Sequence, residues 1–516
     1  MAFFRSAATI GGYTLLSRVL GFIRDILIAA NLGVGPVADA FFVAFKLPNF
    51  FRRMFAEGAF NAAFVPMFAR QLTEGGLSSA RRFSEEVLSV FIIFLLFFVT
   101  ALQIGMPYLM YVIAPGFSDD SYRFDLAVSF SQITFPYLLF ISLVSQLGGV
   151  LNGLGRFAAA AATPILLNLC LIFSLLYLSS FMENTGYALS WGVALAGIVQ
   201  FVWLILACKR AGFVLFLRIP RFTRRLKRLI ILMLPGAIGA GVIQINLLID
   251  VVIASFLPQG SVSFLYYADR VNQLPLGVIG IAIGTVLLPL LSRQLRSRET
   301  KNAFDSMNRA IEYSMILSIP AAIGLILIPD QIISVLFQRG EFGPDATRAT
   351  GLALAAYSVG LPAYILIKVF GPGFYAREDT LTPVKIATLC VFVNLCLNLI
   401  LMEPLLHVGI ALATAASAWL NAALLFGVLV RRGHYKCDDR LKKTILRVPI
   451  ATALMGCAVL VVEQWMVYFP TGSVIWEVIS LSIIISSAFA VFVIAGLFLG
   501  VVPTYKMKHL LDRFFR

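Results

Sequence analysis

The segment "SRVLGFIRDILIAANLGVGPVADAF", residues 17–41, decides how the rest of the chain is interpreted. Most of its side chains are apolar, as in a helix that lies in lipid. It nevertheless contains Arg18, Arg24, Asp25 and Asp39. A charge at the centre of a bilayer costs roughly 2.5–3.5 kcal/mol on insertion scales, so it is kept where it faces water, a partner or a ligand. The segment therefore predicts a membrane helix that borders a polar site.

The composition indicates a membrane protein along the whole chain. The mean hydropathy is +0.91, and charged residues make up 13% of the 516 residues, against about 25% in soluble domains. Apolar runs of about 20 residues recur, and each can cross a bilayer as a helix. The first run is not followed by a cleavage site, so we expect it to remain as the first span. The composition predicts an all-α polytopic membrane protein.

Metal, disulfide and enzyme chemistry have little support in the sequence. The six cysteines contain no C-x-x-C pair, and the three histidines lie far apart. No nucleophile–base set and no phosphate-binding loop is visible. We therefore predict a protein that is not an enzyme, has no catalytic residues and needs no organic cofactor.

Apolar length and breaks at Gly, Pro and charged residues predict fourteen spans. The predicted spans are 9–31, 37–62, 87–112, 126–151, 160–181, 187–208, 229–256, 264–292, 309–329, 347–371, 383–403, 408–430, 448–468 and 474–502.

The charges of the loops alternate. Of the 41 Lys and Arg residues, 30 fall in one set of loops and at the two termini. The opposite loops hold three, Arg123, Arg339 and Arg348, and eight fall inside predicted spans. The positive-inside rule therefore predicts cytoplasmic N- and C-termini, which agrees with an even number of spans. The basic segment 218–229 is expected to lie on the cytoplasmic membrane surface.

An internal repeat divides the chain. Pro136 matches Pro362, and "NLC" at 168–170 matches "NLC" at 394–396, both at an offset of 226 residues. Two halves of six spans with the same orientation are typical of transporters whose site lies between the halves. We predict an N-terminal lobe (1–208), a cytoplasmic amphipathic linker (209–228), a C-terminal lobe (229–430), and two further spans with a cytoplasmic tail (431–516).

Arginines outnumber acids among the charges inside the spans. Arg24–Asp25 and Asp269–Arg270 are neighbours in sequence, and neighbours point about 100° apart on a helix, so we expect them to be poor partners for each other. Pairing across helices or an anionic ligand would satisfy the arginines, and the guanidinium fork suits phosphate. The pattern favours an anionic-substrate cavity over purely structural ion pairs.

Three segments resemble one family. They are "GFIRD" (21–25), "ADAFFVAFKLPNFFRRMFAEGAFNAAFVPMF" (38–68) and "YYADRVNQLPLGVIGIAIGTVLLP" (266–289). They resemble the MurJ (MviN) family of bacterial lipid II flippases, within the multidrug/oligosaccharidyl-lipid/polysaccharide exporter superfamily. The resemblance covers the whole chain, including the two last spans, which in the family form a groove for the lipid tail.

The resemblance implies a function. Family members move lipid II, an undecaprenyl-pyrophosphate-linked disaccharide-pentapeptide, from the cytoplasmic to the periplasmic leaflet of the inner membrane by alternating access. This implies roles in peptidoglycan synthesis, cell-wall biogenesis and cell shape, with lipid II, membrane lipids and the cell-wall synthesis machinery as partners. The implied substrate-binding residues are Ser17, Arg18, Arg24, Asn49, Arg52 and Arg270. The implied gating or ion-pairing residues are Asp25, Asp39, Glu57 and Asp269.

Some members of the family also resemble sodium-coupled carriers. The positions that match their site are Asp250, Asn394, Asn398 and Thr414. Where some members have a second acid, this chain has Asn398, so interhelical hydrogen bonding of polar residues remains the alternative reading.

Other functions stay open at this point. An exporter of another polyprenyl-pyrophosphate-linked saccharide fits the same basic cavity. A drug exporter of the superfamily would need an acidic cavity for cationic drugs. A membrane scaffold without transport does not explain arginines inside the spans.

Overall fold

The computed structural model describes residues 2–53, 60–466 and 474–501. Side chains are described for 9–53, 60–234, 241, 244–280, 282–466 and 475–501. Every regular element in these ranges is a helix, which confirms the predicted all-α class. Ten helical segments in the described ranges are long and apolar enough to cross a membrane, and some of them join two consecutive helices. The number fourteen for the spans stays a prediction.

The described residues up to Arg210 form nine α-helices. They are α1 (Ala2–Leu32), α2 (Pro36–Phe51), α3 (Asn61–Ile104), α4 (Met106–Ile113), α5 (Ser121–Thr134), α6 (Tyr137–Gly153), α7 (Ala158–Ala161), α8 (Thr163–Leu176) and α9 (Thr185–Arg210). Short 3-10 turns follow α4 (Pro115–Asp119) and α8 (Leu178–Phe181).

The remaining helices continue the pattern. They are α10 (Arg224–Ser255), α11 (Ser261–Pro275), α12 (Ile281–Arg296), α13 (Thr300–Leu327), α14 (Pro329–Phe337), α15 (Pro344–Val359), α16 (Leu361–Tyr375), α17 (Leu381–Arg431), α18 (Asp439–Met466) and α19 (Val474–Phe498). A π-helical turn, Leu276–Gly280, links α11 to α12.

Two long helices are bent where the sequence predicts a break. In α17 the backbone at Leu406 has φ 49° and ψ −132°, two residues after Pro404. This kink lies between the predicted spans 383–403 and 408–430. In α3 the corresponding point is Gly76, with φ 68°. Because glycine has no Cβ, it adopts this left-handed conformation at little cost.

Proline inside α2 is accommodated by a neighbouring helix. Pro48 has no N–H, so the carbonyl of Ala44 four residues earlier loses its helical donor. The hydroxyl of Thr134 on α5 donates to that carbonyl at 3.1 Å. The Ala44 carbonyl, which lacks a helical donor because of Pro48, therefore accepts its hydrogen bond from α5.

Two compact units make up the chain. The first comprises Met1–Ser263 with Arg339–Gly343, and the second comprises Phe264–Gln338 with Pro344–Arg516. The first unit contains not only α1 to α9 but also α10 and the connector that precedes it. The lobe boundaries drawn from the sequence repeat stay a prediction.

Candidate functional site

Arg24 lies in a buried polar cluster on α1. Its Nη2 atom is 2.6 Å and its Nε atom 3.0 Å from Asp25 Oδ1. The exposed fractions are 6% for Arg24 and 3% for Asp25. The guanidinium also lies over the ring of Phe45, 6.0 Å from its centroid.

This geometry corrects one expectation. Adjacent residues on α1 were expected to be poor partners, and Arg24 and Asp25 nevertheless form a short, buried ion pair. The angle of 100° describes how the Cα–Cβ bonds diverge, whereas the long arginine side chain curves back towards its neighbour. Arg24 is therefore neutralised within its own helix.

Asn168 on α8 completes the cluster, and the sequence analysis did not single it out as a site residue. It accepts a hydrogen bond from Arg24 Nη1 at 2.8 Å and donates one to the Ser17 carbonyl at 2.9 Å. A Cβ atom on Gly21 would lie 3.5 Å from Asn168 Nδ2, so the two helices approach closely here. The only signal for Asn168 is its place in the repeated "NLC".

Arg18 differs from Arg24, although both lie on α1. Its side chain is exposed, and none of the described residues accepts a hydrogen bond from it. Ser17 beside it is half-buried. Arg18 is thus a cation on the first helix that an external anion can reach.

Arg52 and Asn49 occur together at the end of α2. Arg52 Nε donates to Asn49 Oδ1 at 3.1 Å, and both side chains are half-buried. Asn49 in turn donates to the Phe45 carbonyl at 2.8 Å. Glu57, one of the implied gating or ion-pairing residues, lies outside the described residues.

Asp39 on α2 is the most enclosed of the predicted site residues, with an exposed fraction of 0%. Its carboxylate accepts hydrogen bonds from the Gly260 N–H at 2.7 Å, the Ser263 N–H at 2.9 Å and the Ser263 hydroxyl at 2.6 Å. Gly260 directly precedes α11 and Ser263 lies in its first turn, where N–H groups have no acceptor within the helix. Asp39 therefore caps α11 from another helix.

Arg123 supplies the opposite charge at this cap, and the sequence analysis counted it only as a loop cation. Its Nη1 atom lies 3.6 Å from Asp39 Oδ2, and its exposed fraction is 5%. Nη2 donates to the Ser255 carbonyl at 3.2 Å, and the guanidinium lies 4.1 Å from the ring centroid of Phe117. Arg123 thereby ties α5 to the end of α10.

A loop of the first unit packs against the end of α1. The Glu341 N–H donates to the Ala30 carbonyl at 3.0 Å. Gly340 has φ 57°, and a Cβ atom there would lie 2.2 Å from that same carbonyl oxygen. A side chain at residue 340 is therefore incompatible with the contact.

In the second unit, Arg270 on α11 stacks on an aromatic ring. Its guanidinium lies 4.7 Å from the Tyr266 ring centroid, and Nη2 donates to the Tyr266 hydroxyl at 3.1 Å. Asp269 accepts a hydrogen bond from Gln273 one turn later. These contacts run along α11, and both side chains are half-buried.

The residues of the expected sodium site occupy two helices. Asp250 is half-buried on α10 in the first unit. Asn394 and Asn398 are fully buried on α17, one turn apart. Thr414, beyond the kink of α17, donates to the Ile410 carbonyl at 3.0 Å.

Comparison with known proteins gives a consistent result. The family model described as "Lipid II flippase MurJ" matches residues 28–480. A protein of Rhizobium meliloti (strain 1021), named probable lipid II flippase MurJ, is 48% identical over 92% of this chain and 89% of its own length. A protein of the same name from Rhizobium tropici is 44% identical over 99% of this chain and 97% of its own length.

The fold agrees with these matches. A solved structure titled "Lipid II flippase MurJ, inward closed conformation" superposes with a TM-score of 0.79 at 26% identity. The match covers 95% of this chain and 98% of that one. This chain therefore belongs to the MurJ family of lipid II flippases.

Proposed function

We propose that this protein carries lipid II across the bacterial inner membrane, from the cytoplasmic to the periplasmic leaflet, by alternating access. The observation that carries the proposal is the family match over residues 28–480. The proposed activity is transport, since no bond of the lipid is made or broken. Lipid II and the surrounding membrane lipids are the proposed partners, together with the cell-wall synthesis machinery.

The arginines suit the pyrophosphate of this substrate. A guanidinium presents parallel N–H donors that match two phosphate oxygens, and it keeps its charge in a poorly hydrated site. Arg18 is exposed and without a hydrogen-bond acceptor among the described residues, so it is the arginine of α1 best placed to receive the anion. Arg24 is held by Asp25 and Asn168, and we propose that it orients the site.

Two further arginines complete the proposed binding set. Arg52 is positioned by Asn49, and Arg270 is positioned by stacking on Tyr266. Each is half-buried, so its charge is less screened than on an open surface. The polyprenyl tail would remain in lipid, beside the last two helices α18 and α19.

The proposed orientation has both termini in the cytoplasm. It rests on the distribution of Lys and Arg among the loops. In this orientation the cap formed by Asp39 and Arg123 lies towards the periplasmic side, because it follows the first outward span.

The experiment is complementation of a bacterial strain depleted of its own lipid II flippase, with lipid II in the outer leaflet measured by a leaflet-specific accessibility assay. We expect the wild-type chain to restore growth and outer-leaflet lipid II. Alanine at Arg18, Arg24, Arg52 or Arg270 should abolish both while the protein still inserts. Lysine should restore them only in part, because the fork is lost.

A matched control is Arg70→Ala, since Arg70 is an exposed arginine paired with Glu74 one turn away. This variant should transport normally. Growth of all four alanine variants would refute the arginine site. Failure of the wild-type chain to restore outer-leaflet lipid II, although the protein inserts, would refute lipid II as the substrate.

A further inference from the structure

The connector between the two halves is fastened to α3 by a buried glutamate. Glu85 has an exposed fraction of 1%, and its carboxylate forms an ion pair with Arg218. The Phe216 N–H donates to Glu85 Oε1 at 3.2 Å, and the Arg218 N–H donates to Ser89 Oγ at 2.9 Å. Residues 213–223 form no regular helix, so these contacts supply hydrogen-bond partners that a helix would otherwise provide.

An aromatic side chain fixes the start of this connector. Phe213 is fully buried, with its ring centroid 5.7 Å from that of Phe68. Arg81, one turn before Glu85 on α3, lies 5.6 Å from the Phe213 ring centroid and donates to the Gly212 carbonyl at 3.1 Å. The connector is thus held at its start by the packing of Phe213, and further along by the ion pair and hydrogen bonds to Glu85 and Ser89.

The second unit repeats this arrangement with different residues. Glu312 on α13 also has an exposed fraction of 1%, and it forms ion pairs with Arg440 at 3.0 Å and with Arg309. Asn308, one turn earlier, accepts a hydrogen bond from the Tyr435 hydroxyl at 2.6 Å and donates to the Lys436 carbonyl at 3.0 Å. Tyr435, at 3% exposed, belongs to the connector that follows α17.

The equivalence holds at the level of single positions. Residues 81 and 85 precede 308 and 312 by 227 positions each. In the connectors, Phe213 and Arg218 precede Tyr435 and Arg440 by 222 positions each. Both connectors also begin in the same way, with a glycine of positive φ after the helix, Gly212 at 74° and Gly433 at 67°.

We propose that Glu85 and Glu312 are equivalent anchors, each of which fastens the connector after its half to that half. Each connector then moves with its own helices and does not act as a loose hinge. For the first half this fixes where α10 begins relative to α3. The inference rests on contacts within each unit and not on the identity of the transported lipid.

Hydrogen exchange of the purified full-length protein, read by mass spectrometry, tests the anchors. Glu85→Gln keeps the shape of the side chain but removes its charge. Because a hydrogen bond to a charged group is stronger than one to a neutral group, exchange in residues 213–223 should accelerate about tenfold or more. Exchange in residues 433–441 should not change. Glu312→Gln should give the reverse pattern.

Two further variants keep the test decisive. Arg218→Ala removes the partner of Glu85. Because the Arg218 side chain is half-exposed, this substitution leaves no cavity in the core. It should accelerate hydrogen exchange in the same residues as Glu85→Gln does. Glu74→Gln, on the exposed part of α3, should change neither connector. Unchanged exchange in both Glu85→Gln and Arg218→Ala, or acceleration spread over the whole chain, would overturn the proposal.

Discussion

Asp39 Oδ2 and Arg123 Nη1 lie 3.6 Å apart, and both side chains are almost completely withdrawn from solvent. The pair joins α2 and α5, and through Ser255 and Ser263 it also fixes the end of α10 and the start of α11. A buried ion pair of this kind is informative because loss of one partner leaves the other charge without compensation.

Arg123→Ala should therefore destabilise the protein by about 3–5 kcal/mol, since the Asp39 carboxylate would remain buried without its counter-ion. The apparent melting temperature in detergent measures this effect. Arg348→Ala, which removes another cation of the predicted outer loops, serves as the control. An equal change in both variants would show that burial of the pair has no special role.

The Asp39 contact also predicts a functional loss. Asp39→Asn keeps the size of the side chain but replaces a charged acceptor of three hydrogen bonds by a neutral one. The cap on α11 weakens by about 1 kcal/mol, and Arg123 loses its counter-ion. We expect complementation of a flippase-depleted strain to fail while the protein inserts. Normal growth would contradict this role.

Asn168 provides a test of the Arg24 cluster. Asn168→Asp has the same shape but adds a second carboxylate beside Arg24, which already pairs with Asp25. The extra negative charge should repel a pyrophosphate. Binding of lipid II to the purified protein should weaken about tenfold or more, and a tenfold loss corresponds to about 1.4 kcal/mol of binding free energy. Asn168→Ser, which adds no charge, is the comparison, and equal binding by the two variants would argue against an electrostatic role.

Alanine at residue 340 should destabilise the protein, whereas alanine at a neighbouring glycine should not. Gly340→Ala places a Cβ 2.2 Å from the Ala30 carbonyl oxygen and forces a left-handed backbone on alanine. We expect a loss of about 1–3 kcal/mol in stability. Gly343→Ala in the same loop should be nearly neutral, because no heavy atom lies within 4 Å of the added Cβ. Thermal unfolding of the two variants in detergent makes the comparison.

The sequence predicted the helical class and drew attention to Arg24 and Asp39 because charges in apolar helices are rare. The sequence also predicted the break in α17 near Leu406, because Pro404 and the gap between two apolar runs lie there. These features depend on the residues themselves or on their near neighbours in the chain.

Features that depend on distant neighbours were missed. Arg123 stands just before an apolar run and has the sequence context of a loop cation, whereas in the structure it is buried against Phe117, Asp39 and Ser255. The Arg24–Asp25 pair was misjudged because a helical wheel shows where Cβ atoms point, not where a long side chain ends.

The orientation of the chain is open to direct labelling. In a variant without its native cysteines, a cysteine near Asp119 or Asn184 should react with an impermeant thiol reagent added outside intact cells. One near Arg221 or Ser297 should react only after the cells are opened. These expectations follow from the excess of Lys and Arg in alternate loops. The reverse labelling pattern would invert the proposed topology.

Coupling to the membrane potential gives the last prediction. Asp250 stands 226 residues after Arg24, and Asn394 stands 226 residues after Asn168, so the proposed cation residues occupy the repeat positions of the Arg24–Asn168 pair. A pyrophosphate-linked lipid carries about two negative charges, and an inside-negative potential assists its outward release by about 2.3 kcal/mol per charge per 100 mV. We expect the potential to drive transport, with a cation at Asp250 as an aid and not a requirement. We therefore expect flipping to stop when valinomycin and potassium collapse the potential while the pH gradient is kept, and we expect Asp250→Asn to cost less activity than Arg24→Ala.

The leaflet-specific lipid II assay, run with and without sodium, measures both effects. Flipping that persists at zero potential but requires sodium and Asp250 would instead make the cation obligatory.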